Sequence, residues 1–123
     1  IEGRQWFIYR QGMSRGDIPA GTTHVLIEEG TTNIGSGAFD NDLVEYGDYK
    51  YDSLQHVRIA KSLFQIGIES FYGCRNLVTV EIPNDSQLVE LGYRAFLGCT
   101  SLTGNKMTLP ASLRNISGST FAQ

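Results

Sequence analysis

The chain has 123 residues, 41% of them hydrophobic and 19% charged, with a formal net charge of −3. That length suits one domain, and the composition is that of a folded chain rather than a disordered one. The mildly acidic balance argues against a nucleic-acid partner, and no run of about 18 apolar residues exists that would insert into a membrane.

Read from the start, Ile1-Glu2-Gly3-Arg4 spells a protease recognition tetrapeptide of the kind placed behind purification tags, so residues 1–4 are set aside as a tag remnant. Residues 5–22 read as an amino-terminal cap and turn. Trp6, Phe7, Ile8 and Tyr9 form an aromatic cluster with no repeat partner upstream, suited to covering the first unit of a stacked array. Arg15-Gly16-Asp17 follows, a tripeptide that integrins read in some adhesion proteins; Gly-Asp is also ordinary turn chemistry, and a turn is expected here.

From residue 23 onward the chain repeats itself. Ile34-Gly35-Ser36-Gly37-Ala38-Phe39, Ile66-Gly67-Ile68-Glu69-Ser70-Phe71, Leu91-Gly92-Tyr93-Arg94-Ala95-Phe96 and Ile116-Ser117-Gly118-Ser119-Thr120-Phe121 align, with phenylalanines 32, 25 and 25 residues apart. Short segments alternate between inward and outward positions: Val25-Leu26-Ile27, Val57-Arg58-Ile59, Val80-Glu81-Ile82 and Met107-Thr108-Leu109. That period of two predicts half-buried strands, and Pro83 and Pro110 close two of them. One unit is too small to bury its own Ile, Phe and Leu, so successive units must stack. Stacking predicts ladders of Phe39, Phe71, Phe96 and Phe121, and of Leu54, Leu77 and Leu102, with Gly35, Gly67 and Gly92 supplying a bend. The last repeat reads as incomplete.

One unit is longer than the rest. Phe39 to Leu54 is 15 residues, against 6 from Phe71 to Leu77 and from Phe96 to Leu102. The extra nine lie within residues 42–52, which hold Tyr46, Tyr49 and Tyr51 beside Asp48 and other acids. Tyrosine-rich loops offer wide amphipathic contact at low entropic cost. A second candidate contact region is the outward row of the strands: His24, Leu26 and Glu28; His56, Arg58 and Ala60; Thr79 and Glu81; Lys106 and Thr108. His24 and His56 share one repeat position and should stack about 5 Å apart if their strands are neighbours. Zinc needs at least three protein ligands and no third joins them, so no metal is expected. Cys74 and Cys99 also share a position, which leaves open either a disulfide between neighbouring units or two buried thiols.

The pattern aliphatic-Gly-x-x-Ala-Phe-x-x-Cys-x-x-Leu-x-x-Val-x-Ile-Pro resembles the BspA-like, or treponemal-type, leucine-rich repeats. Residues 66–83 match it almost throughout, with Ser70 in the alanine place, and the resemblance covers residues 23–123. The lead-in from Trp6 to Val25 is similar to that of microalgal members. The resemblance implies a leucine-rich-repeat solenoid, a β-rich right-handed superhelix of about four short coils, in which the cysteines form a ladder of free buried thiols. It implies a surface-associated or extracellular recognition or adhesion module.

No phosphate-binding glycine loop, His-Glu-x-x-His or nucleophile elbow is present, so neither an enzyme nor a cofactor is expected. The partner is expected to be a protein, held by Tyr46, Asp48, Tyr49 and Tyr51 of the insertion and by His24, Leu26, His56, Arg58, Glu81 and Thr108 of the strand face. A rigid spacer or fixed subunit of a larger assembly is the alternative, and a carbohydrate bound by the tyrosines a third.

Overall fold

A computed structural model describes residues 6–43, 47–102, 108–116 and 120–121. The alternating segments pair side by side as expected. Strands β1 (Phe7–Tyr9), β2 (His24–Ile27), β4 (His56–Arg58) and β6 (Thr79–Glu81) form a parallel sheet in that order. Phe7, Val25, Val57 and Val80 lie in one row, so every inward valine meets an apolar neighbour on the next strand. The cap strand therefore joins the sheet as its first member. Thr108 and Leu109 belong to no strand, contrary to expectation, and Met107 lies outside the described residues.

A second parallel sheet was not expected. It consists of the two-residue strands β3 (Asn33–Ile34), β5 (Gln65–Ile66), β7 (Glu90–Leu91) and β8 (Asn115–Ile116), and aligns Ile34, Ile66, Leu91 and Ile116. A third ladder of main-chain bonds lies beyond it. Residues 37, 39 and 41 donate to the carbonyls of 68, 70 and 72, and residues 69, 71 and 73 to those of 93, 95 and 97. The first three repeats are thus bonded to one another along three lines, and the third to the fourth along the last two, which satisfies backbone groups that burial would otherwise leave unpaired.

Between these lines the aromatic rungs stack. Ring centroids of Phe39 and Phe71, Phe71 and Phe96, and Phe96 and Phe121 are 5.0, 5.3 and 5.6 Å apart, with planes within 5° of parallel. Phe39, Phe71 and Phe96 are buried, and each contributes about 1.5–3 kcal/mol of hydrophobic stabilisation. Tyr9 covers the near end, 5.7 Å from Phe39. Its hydroxyl donates to the Met13 carbonyl and accepts from Gly35 N, both at 3.0 Å. Leu54 and Leu77 form the buried leucine ladder, with Leu102 packed partly exposed against it.

The glycines of the repeat act through space rather than by bending. A Cβ on Gly67 would sit 2.6 Å from the Ile34 carbonyl oxygen, and one on Gly92 would sit 2.6 Å from Ile68 N and 2.7 Å from the Gly67 carbonyl carbon. The main chains of successive repeats touch here, and only glycine leaves room. Gly35 has no repeat behind it, and its nearest neighbour would be 3.7 Å away.

Two positions downstream the demand is conformational. Gly37 adopts φ 69°, and the equivalent Glu69 and Arg94 adopt φ 55° and 57°. Each of those side chains costs about 1–2 kcal/mol in the left-handed region. The half-exposed Arg94–Glu69 ion pair, at 3.7 Å, returns only about 0.2–1 kcal/mol. The pair does not offset the conformational cost.

Candidate functional site

The outward positions of the first sheet form two rows. Leu26, Arg58 and Glu81 stand in one, continued onto the cap by Ile8; His24, His56 and Thr79 stand in the other. The first row opens into a groove of about 550 Å³ across the carboxyl ends of the strands. Ile8, Leu26, Ile82 and Pro83 supply apolar lining. Two exposed ion pairs, Arg10–Glu28 at 3.3 Å and Arg58–Glu81 at 3.4 Å, border it. Ala60, expected to face outward, is buried. Thr108 is exposed but does not line the groove.

The histidine row is mostly closed. His24 and His56 stack with centroids 4.6 Å apart, close to the expected spacing. Trp6 packs its edge against His24 at 4.9 Å, and the Arg58 guanidinium lies over the Trp6 ring at 4.8 Å. His24 Nδ1 is 2.8 Å from the Thr23 hydroxyl, and His56 Nδ1 is 2.6 Å from that of Thr79. His24 is only 2% exposed, so it supports the face from beneath and offers no contact to a partner. Among the described residues, no three His, Cys, Asp or Glu side chains converge as a metal site.

The insertion divides into outside and inside. Tyr46 lies outside the described residues. Tyr49 is 44% exposed, and the Arg75 guanidinium lies over its ring at 4.3 Å. Asp48 is exposed and pairs with Arg15 at 3.2 Å. Tyr51 is wholly buried, which removes it from the contact residues. Counting back three residues from Leu54, Leu77 and Leu102 puts Tyr51 in the place of Cys74 and Cys99. Each thiol donates to the phenylalanine carbonyl of the repeat before it, Cys74 to Phe39 and Cys99 to Phe71, both at 3.1 Å. In the first repeat that neighbour is the cap, which lies farther off. Tyr51 spans the gap, its single O–H shared between the Arg15 carbonyl and, at 2.8 Å, that of Ile18.

Burial governs the chemistry of this rung. It pushes the Cys74 thiol well above 9.0 and the Cys99 thiol up to about 12, so both stay protonated and unreactive. Both cysteines are free. Burial likewise pushes the Tyr51 phenol up to about 12, with Arg15 opposing. At the edge of the insertion, two hydrogen bonds from Arg75 hold Asp52 below the usual carboxylate range; the shorter is 2.8 Å.

Asp48 and Tyr49 line a separate hollow with Arg15 and Lys50, and share no lining residue with the groove. The Arg15–Asp17 segment is a 3-10 turn whose charged ends are engaged within the molecule. The Arg15 Nε donates to the Asp40 carbonyl at 2.8 Å, and the Asp17 carboxylate accepts from Ser14 N at 3.0 Å. Among the groove residues missed in sequence were Ile8, Arg10, Ile82 and Pro83. Ile8 and Arg10 alternate with Phe7 and Tyr9, so the period of two that located the other strands also runs through the cap.

Comparison with known proteins fits this architecture. Residues 42–123 match the family model described as BspA type Leucine rich repeat region (6 copies). The chain belongs to the BspA-type leucine-rich repeat family. A solved leucine-rich cell surface protein from Faecalibacterium prausnitzii A2-165 is similar over 70% of this chain, at 26% identity and a TM-score of 0.51. The chain covers 21% of that protein's length. No curated protein matches. The family match begins inside the insertion, whereas this BspA-type repeat already stacks rungs from Phe39 and pairs strands from β1. Among the described residues, no helix is long and apolar enough to cross a membrane.

Proposed function

We propose that this BspA-type repeat is a non-catalytic protein-recognition module, displayed on a cell surface or outside the cell, that holds its partner in the groove of the first sheet. The two ladders are read as a right-handed solenoid of about four coils, with residues 5–22 as its cap. The groove carries the reading: it offers apolar side chains, bordered by paired charges, on the outward face of a rigid parallel sheet. Apolar contact at the centre with polar groups at the rim is how specific protein interfaces are arranged. The resemblance to a cell-surface leucine-rich protein supports the location.

Leu26, Arg58 and Glu81 are the central contacts, with His56 half-buried beside them. Tyr49 and Asp48 form a second, separate contact. Affinity capture of cell-surface proteins, with Leu26→Asp and Tyr49→Ala proteins run alongside the native one, tests both. Leu26→Asp is expected to release the main partner and Tyr49→Ala to weaken it. Equal capture by the native and Leu26→Asp proteins would remove the groove from the account.

A further inference from the structure

A different surface stands where the second sheet turns toward the phenylalanine ladder. Ile68 and Tyr93 follow β5 and β7 at equivalent positions and are 50% and 41% exposed, large apolar side chains on neighbouring repeats. Next to them stand Glu69 and Arg94, the two residues held in left-handed backbone where the first repeat has Gly37. Their ion pair is half open to solvent, and Arg94 Nε is buried without an acceptor. The Arg94 guanidinium also lies over the Tyr93 ring at 4.9 Å. The ion pair alone does not offset the conformational cost of the two left-handed residues, and it leaves both charges within reach of a partner at the surface.

We propose that this surface binds a second copy of the chain across a two-fold axis. The patch holds one acid and one base, flanked by one apolar side chain on each repeat. Rotated by a half-turn, such a patch complements itself. Glu69 of one protomer then faces Arg94 of its partner, and Ile68 and Tyr93 are covered. The contact is small beside the roughly 800 Å² per partner of a standard interface, so the dimer is weak and forms with rising concentration. Lying beyond the second sheet, the patch shares no residue with the groove of the first sheet.

Sedimentation velocity on the full chain over a range of concentrations tests this. The native protein is expected to shift from monomer to dimer as concentration rises. Glu69→Arg and Arg94→Glu each place like charges across the axis twice, and each is expected to weaken association about tenfold or more. The double variant restores opposite charges and is expected to recover the dimer. Circular dichroism of each variant establishes that it is folded; Ile68→Ser, which alters no charge and no left-handed residue, is a second probe and should also weaken association. A native protein that remains monomeric throughout would overturn the proposal. So would a dimer indifferent to single reversal, or a double variant that fails to recover.

Discussion

The first repeat and those that follow use one plan with different parts. In the later repeats a short thiol reaches the carbonyl of the phenylalanine behind it, and a glycine touches the preceding main chain. In the first, the residue behind is the cap, so a tyrosine replaces the thiol and Gly35 has space around it. What a position requires is set by the distance to the unit behind. The chemical type of the side chain follows from that distance.

Four measurements would break or sharpen this contrast. The largest effect is expected at Phe71, which is stacked on both sides: Phe71→Ala should lower unfolding free energy by about 3–5 kcal/mol in denaturant titration. Next, Gly92→Ala forces a methyl against main chain and should cost about 3 kcal/mol, while Gly35→Ala should change stability by less than about 1 kcal/mol. Equal costs at the two glycines would show that packing against the preceding repeat is not what separates them.

Tyr51→Phe removes the hydroxyl bond to the Ile18 carbonyl and leaves that of Arg15 with only its longer bonds from Ile18 N and Lys50 Nζ, both 3.5 Å, and should cost about 1–3 kcal/mol. It also carries a pH signature. The folded phenol titrates near 12 against an ordinary 10.0, so the folded state holds the proton more tightly. The associated stability is complete below pH 10 and is lost as pH rises toward 12. Alkaline denaturation of the native and Tyr51→Phe proteins should therefore diverge below that window and converge within it. The smallest effect is a gain. Ser70 is buried with its hydroxyl unpartnered, where Ala38 and Ala95 stand in sister repeats, and Ser70→Ala should raise stability by about 1 kcal/mol.

The repeat was legible because the rungs recur in register: Phe39 to Phe121, the valines and the cysteines all declare their neighbours. The second sheet was not, because two residues are too few to show a period of two, and Ile34, Ile66 and Leu91 read equally well as isolated core positions. Tyr51 was misplaced for a related reason. Counting forward from Phe39 crosses the insertion and loses the register, whereas counting back from Leu54 recovers it. His24 is outward by strand alternation, yet its exposure depends on Trp6 folding across it, a contact between segments that spacing alone does not describe. The outward row of Leu26, Arg58 and Glu81 was legible from strand alternation; the groove that unites them needed the cap residues Ile8 and Arg10.

The main-chain contact at Gly67 and Gly92 has a consequence for how such a molecule can change. Because atoms common to every amino acid set the spacing there, the rise from one layer to the next is indifferent to what the outer face displays. Selection can rewrite that face freely, much as type is reset in a fixed frame, provided the two glycines stay.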